Sequence, residues 1–248
     1  MGLLLSLLPI VAVVAVLTIV ERLRDRERTD WWINLQAWGL MLLIAVTVRP
    51  LFQLSGIPSL IDGAALPFWL AFPAYLMIRD LAEYVYHRAQ HSIPMLWAMH
   101  SLHHSDPKMS ALTTQRHFWG DQLVKSVTIW PIAAAIMAPS PAMYAAFAVV
   151  SLWNFVAHAR LDVNFGRLSW LLNSPAYHRR HHSLLPEHYN SNFAALFPIF
   201  DVICGSYYRP DGFPPTGLPH KPESFLDLIV WPLRHTAPEQ SALAASKG

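Results

Sequence analysis

The chain has a single cysteine, Cys204. One thiol cannot close an intramolecular disulfide, and it excludes iron–sulfur clusters and multi-thiolate zinc sites. Its position beside the apolar stretch 194–203 predicts a small core residue. Charge is scarce as well: 14% of residues are Asp, Glu, Lys or Arg, and the net charge is only +2. With no basic run or recognition motif, that balance excludes a nucleic-acid partner. The sequence shows no internal repeat, no domain linker and no segment of the kind that binds haem or flavin.

Apolar residues, in contrast, are abundant. They make up 54% of the chain, and 10 Trp and 8 Tyr suit the two interfacial belts of a membrane protein. Apolar runs cover 3–20, 32–48, 66–86 and 123–157. A helix over 3–20 is about 27 Å long, close to the hydrocarbon thickness. No basic segment precedes it and the charged run 21–28 follows, so it reads as an anchor and not as a cleaved signal peptide. The fourth run is broken at Pro139, Ser140 and Pro141. Its halves, about 16 residues each, are short for full spans and predict a kinked or re-entrant hairpin.

The expectation is an all-α, multi-span membrane protein with about four spans. A single domain would cover 1–233, with a disordered tail over 234–248. Four arginines in 21–28, against Arg49 alone in 49–65, place 21–28 in the cytoplasm. The third span then delivers the polar segments 87–121 and 158–210 to that same face as a helical cap. Arg88, Lys108, Arg116, Arg160, Arg167, Arg179 and Arg180 in these segments agree with that side.

Those segments hold the chemistry. Eight of the 13 histidines form three clusters: His87 with His91; His100 with His103 and His104; His178 with His181 and His182. Positions i, i+3 and i+4 share a helix face, so each cluster presents its rings together. Ser92 and Pro94 fit a helix start and Pro107 a stop, and Ser174 with Pro175 starts a further short helix. A single histidine is usually a satisfied core or surface residue; three patterned clusters are not. One transition metal takes at most about six ligands, so eight histidines, with His158 as a ninth, ask for two metals. Carboxylates are sparse nearby, which disfavours magnesium and calcium. Zinc needs three or four ligands, so the surplus of imidazole points to a di-iron site, in which zinc can substitute during purification.

Three boxes carry a family resemblance: Asp80-x-x-Glu83-Tyr84-x-x-His87-Arg88-x-x-His91, Leu96-Trp97-x-x-His100-x-x-His103-His104-Ser105-Asp106-Pro107, and Pro175-x-x-His178-x-x-His181-His182-Ser183. With Asn192-Phe193 and Asp201-x-x-x-Gly205-x-Tyr207 they resemble the membrane fatty acid hydroxylase/sterol desaturase superfamily over roughly residues 80–208. The resemblance implies a multi-span protein with a cytosolic, histidine-lined dimetal site. Such proteins hydroxylate or desaturate fatty acyl chains, sterols, carotenoids and related lipids. Many relatives carry a further histidine pair before the third box. Here Asn154, His158 and Asp162 fall at i, i+4 and i+8 of an expected helix, and Asp162 stands where the second histidine would be. It is open as a ligand, as a carboxylate that orients a ligand, or as a surface charge. His117 resembles another family segment without its usual following proline, and either lines the site or is structural. Asp80, two turns before His87 on one face, is a candidate to orient that ring, the alternative being an ion pair with Arg79 or Arg88. His188, His220 and His235 lack partners at ligand spacing and are expected at the surface.

The expected function is therefore O2-dependent hydroxylation of an unactivated C–H on an apolar lipid drawn from the bilayer. No catalytic residue is expected beyond the metal ligands. Trp97, Phe118, Trp119, Trp130 and Trp153 either line a substrate path or pack the core. Electrons would come from a ferredoxin, or from a b-type cytochrome with its reductase, docked on the basic cytoplasmic face. Desaturation is the nearest alternative. A zinc-dependent lipid hydrolase and a non-enzymatic metal-binding membrane protein are more distant ones.

Overall fold

Proline sets several helix boundaries among the described residues. The computed structural model describes residues 2–24, 30–47 and 56–235. Ten α-helices follow in order among them: α1 (Gly2–Arg24), α2 (Trp31–Thr47), α3 (Phe68–Ser92), α4 (Pro94–His104), α5 (Trp119–Val127), α6 (Ile129–Ile136), α7 (Pro141–His158), α8 (Pro175–His181), α9 (Ile199–Cys204) and α10 (Phe225–Arg234). No strand occurs among the described residues; extended pairing is limited to the isolated bridges Ile61–Met137 and Ser183–Thr216. The expected tail over 234–248 lies outside the described residues from 236 on, while Arg234 closes α10.

Helices α4, α7 and α8 each begin on proline, whose missing N–H is not needed there. Pro94 also ends α3, because the residue before a proline is pushed out of the helical region, and Ile93 is extended at φ −101°, ψ 118°. Ile93, not Ser92, occupies the N-cap position of α4; the Ser92 hydroxyl donates back to the Arg88 carbonyl. Ser174 does cap α8, accepting from the Tyr177 N–H at 3.2 Å. The region 123–157 is broken more often than the sequence suggested. Besides the break before Pro141, Thr128 leaves the helical region at φ −121°, ψ −79°. Pro131 then falls in the first turn of α6, where proline is tolerated.

Helix α3 is the spine. It packs on α4, α6 and α7. Small residues, Ala71, Ala142 and Ala146, sit with Tyr75 and Met137 in one buried cluster and let these helices approach closely. Val14 of α1 and Phe155 of α7 meet Leu112, and Ala37, Leu102, Leu228 and Trp231 join α2, α4 and α10. Among the described residues, α7 is the one helix both long and apolar enough to cross a membrane; Trp31–Ile44 is a shorter apolar stretch. Cys204 is exposed, contrary to expectation. The short helix α9 buries Phe200 and Asp201 and turns Val202, Ile203 and Cys204 outward.

Candidate metal centre

Nine histidines converge in two adjacent groups. His87, His91, His100, His104 and His181 form one; His103, His158, His178 and His182 form the other. Within each group, one candidate ligand atom per residue lies within 4.8 Å of all the others. Helix geometry explains the division. At 100° per residue, His100 and His104 of α4 lie about 40° apart, while His103 is turned aside by about 60° or more. The i, i+4 pair serves the first group and the offset ring the second. On α8 the pattern is reversed: His178 and His182 serve the second group and His181 the first. Helix α3 contributes His87 and His91 near its end, and α7 contributes His158 as its last residue.

Carbonyls orient three of the rings. His87 Nδ1 donates to Phe193 O at 2.7 Å, His181 Nδ1 to Ser191 O at 2.8 Å, and His158 Nδ1 to Asn154 O at 2.7 Å. A carbonyl only accepts, so each bond puts the proton on Nδ1 and leaves the Nε2 lone pair to offer. The Nε2 atoms of His87, His104, His181 and His182 and both ring nitrogens of His100 are buried without a hydrogen-bond partner among the described residues. His158 Nε2 faces the Nε2 atoms of His103 and His178 at 3.0 Å each. Buried, converging lone pairs without donors fit a metal and fit little else. Burial holds the rings of α4, and those of His178, His181 and His182, well below their ordinary value of 6.5, so they are neutral and able to ligate. Trp97, over His91 and His104 at 5.0 and 5.3 Å, and Phe193, 5.2 Å from His91, form an apolar collar.

Other candidates lie elsewhere. Asp162 is exposed and outside both groups, because α7 stops at His158 and the expected i+8 face does not exist. Asn154 takes part through its backbone carbonyl, on the ring of His158. His117 stacks on His103 at 4.2 Å and 11°, with its Nδ1 3.9 Å from Asp121, so it lines the second group without joining it. Asp80 does not orient His87 directly. Its oxygens accept the N–H groups of Leu196 and Phe197 at 2.8 and 2.7 Å. His188 is buried, with its Nδ1 2.9 Å from Ser183 Oγ, and not at the surface; His220 is exposed, and His235 stacks on Trp231. Of the five aromatics, Trp97 borders the site. Phe118 packs in the α2–α4–α10 cluster, Trp119 donates to Ile229 O, Trp130 packs on Phe147, and Trp153 donates to Asn173 O. The basic segments are also less open than their composition suggests: Arg116, Arg179 and Arg180 are buried. Arg116 pairs with Asp106, Arg180 with Asp211, and Arg179 donates to Pro214 O.

Comparison with known proteins gives a consistent picture. The fatty acid hydroxylase family matches residues 72–206, more than half of the chain. An alkylglycerol monooxygenase of Xenopus tropicalis is 31% identical over 140 residues, covering 56% of this chain and 30% of that protein. An ornithine lipid hydroxylase, OlsE, of Rhizobium tropici is 29% identical over 54% of this chain and 41% of its own length. The Delta(7)-sterol 5(6)-desaturase erg3B of Aspergillus fumigatus is 28% identical over 71% of this chain and 52% of its own. The chain thus spans about half or less of the curated relatives it matches. No solved structure matches.

Proposed function

Because the chain belongs to the fatty acid hydroxylase family, we propose that it is a membrane-bound di-iron oxidoreductase that uses O2 to hydroxylate an unactivated C–H of a lipid. The observation that carries this reading is the division of nine histidines, eight buried and His87 half-buried, into two adjacent groups. The five-histidine group and the four-histidine group would each hold one iron. Bound there, the irons would supply the redox chemistry with oxygen that side chains alone lack. The residues do the rest. Carbonyls of Phe193, Ser191 and Asn154 fix ring orientation, and Phe193 and Trp97 keep water away. A cavity of about 120 Å³ touches Trp97 and is lined as well by Ser101, Leu218, His220, Trp231, Arg234 and His235.

In this reading α1, α2, α3 and the α6–α7 region stand in the bilayer, with the histidine groups in a cytoplasmic cap. Exposed apolar side chains support it: Val16 and Ile19 on α1, Leu43 and Val46 on α2, Trp69 and Val85 on α3. Glu21, near the end of α1 beside Arg22 and Arg24, accepts from the N–H groups of Ala111 and Arg160. These contacts with segments 87–121 and 158–210 support a reading in which that end of α1 and the histidine groups share one face. Electrons would reach the site from a ferredoxin or a b-type cytochrome system, docked over the exposed Arg88, Arg167 and Arg209.

The first experiment counts metals in detergent-purified protein. About two irons per chain, or iron partly replaced by zinc, supports the dinuclear site. A clean single zinc would favour a hydrolase instead. Lipid analysis under labelled O2 then separates hydroxylation, which adds one oxygen, from desaturation, which removes two hydrogens. Desaturation is the second reading, favoured by the alignment with the sterol desaturase over 71% of this chain.

A further inference from the structure

Residues 191–197 have no regular secondary structure, yet they cross the five-histidine group as a strap. Two of its carbonyls, Phe193 O and Ser191 O, hold the rings of His87 and His181. Both rings belong to that group. In the four-histidine group, His158 is held by a carbonyl of its own helix, that of Asn154.

A carbonyl can orient a ring only if the carbonyl itself is held still. Here the strap is fastened by two fully buried carboxylates. Asp80, on the helix that carries His87 and His91, takes the N–H groups of Leu196 and Phe197. Asp201, on α9, takes the N–H groups of Phe193 and Ala194 at 2.9 Å each, and the Ser206 hydroxyl at 2.7 Å. It also accepts from the hydroxyl of Tyr177, on the short helix that carries His181 of the five-histidine group and His178 of the other; an Asn in place of Asp201 can keep that bond by donating its NH2 to the phenol oxygen. Burying a carboxylate is costly unless it is hydrogen-bonded. Each of these is placed where its oxygens meet consecutive backbone N–H donors of the strap.

We propose that Asp80 and Asp201 are positioning residues for the five-histidine metal position, acting through the strap that they fasten and leaving the four-histidine position to its own supports. The inference rests on the two-metal reading above. An Asn at either place keeps one acceptor oxygen but turns an NH2 donor toward a backbone N–H, so one strap bond is lost and the strap shifts. Partners that orient metal ligands are typically worth 10- to 100-fold in metal affinity.

The test titrates metal-stripped full-length protein in detergent with Fe(II), and with Co(II) as a spectroscopic probe. Two binding steps are expected for the unaltered chain. Asp80→Asn and Asp201→Asn should each weaken one step by 10- to 100-fold and leave the other in place. The same substitutions in a His87→Ala background should have much less further effect, whereas in a His178→Ala background their effect should be undiminished. Equal weakening of both steps, no weakening, or full additivity with His87→Ala would each overturn the proposal. Ser206→Ala, which removes one bond to Asp201 and one with the Tyr84 hydroxyl but no strap N–H bond, covers the case in which an Asn variant does not fold. It should weaken the same step by a smaller factor, and weakening of the other step or of neither would count against the proposal. If the unaltered chain binds no metal at all, it is the two-metal reading that fails, an outcome distinct from these.

Discussion

A ring nitrogen that donates to a carbonyl leaves its neighbour across the ring to act as a lone pair, and three of the nine histidines are prepared in this way. At the residue scale this makes His181 informative, since it combines an oriented Nδ1 with a buried Nε2. His181→Ala should lower metal content and abolish oxygen-dependent turnover together; full turnover with undiminished metal would contradict a shared site. Asp162→Asn should do neither, and should change stability by less than about 0.5 kcal/mol, because the side chain is exposed and outside both groups. Protons act on the same rings. Burial puts the folded values of His100, His103, His104, His178, His181 and His182 below 6.5, so the unfolded chain binds more protons than the folded one as pH falls. On account of these rings, the stability of the metal-stripped protein should fall progressively below pH 6.5. Thermal melts from pH 8 to 5 check this, and a melting point that rises on acidification would refute it.

At the scale of elements, short helices hold the site and their ends matter more than their middles. Helix α8 has only 7 residues, and His178 and His181 depend on its start. Ser174→Ala removes its side-chain cap and should cost about 1 kcal/mol, read as a lower denaturation midpoint. The loop before α3 is equally constrained. A Cβ on Gly63 would meet the Tyr75 hydroxyl and come within 2.5 Å of the Ala138 carbonyl, where the loop pairs with the end of α6. Gly63→Ala should therefore destabilise by about 1–3 kcal/mol; an unchanged midpoint would mean that the loop yields freely. The helix content of the site region was readable because proline and histidine spacing mark it. The extra break at Thr128 and the helix α10 were not read, the first because Pro131 is compatible with a helix start as well as with a kink.

At the scale of the whole molecule, the two histidine groups join α3, α4, α7 and α8, four helices from three separated parts of the chain. Bound metals would act as cross-links between them. Adding metal to stripped protein should raise its stability by about 3 kcal/mol for each site at which free metal is a hundredfold above the dissociation constant, and chelation should reverse this. A melting point indifferent to metal would argue against both groups as binding sites. The sequence by itself determined that the chain is helical, that it is apolar enough for a membrane setting, and that the rings of each cluster lie toward one side of a helix, because helical periodicity places i, i+3 and i+4 near one another whatever the tertiary arrangement. Only the tertiary structure decided how those rings divide, since a 100° step sends His103 and His181 to groups other than those of their cluster neighbours. It also decided what holds them. A backbone carbonyl such as Phe193 O has no residue-type signature, and Asp80 and Asp201 reach the rings only through a strap lying more than 100 residues from Asp80 in sequence. Long-range hydrogen bonds of that kind depend on where the chain returns, and no local pattern records it.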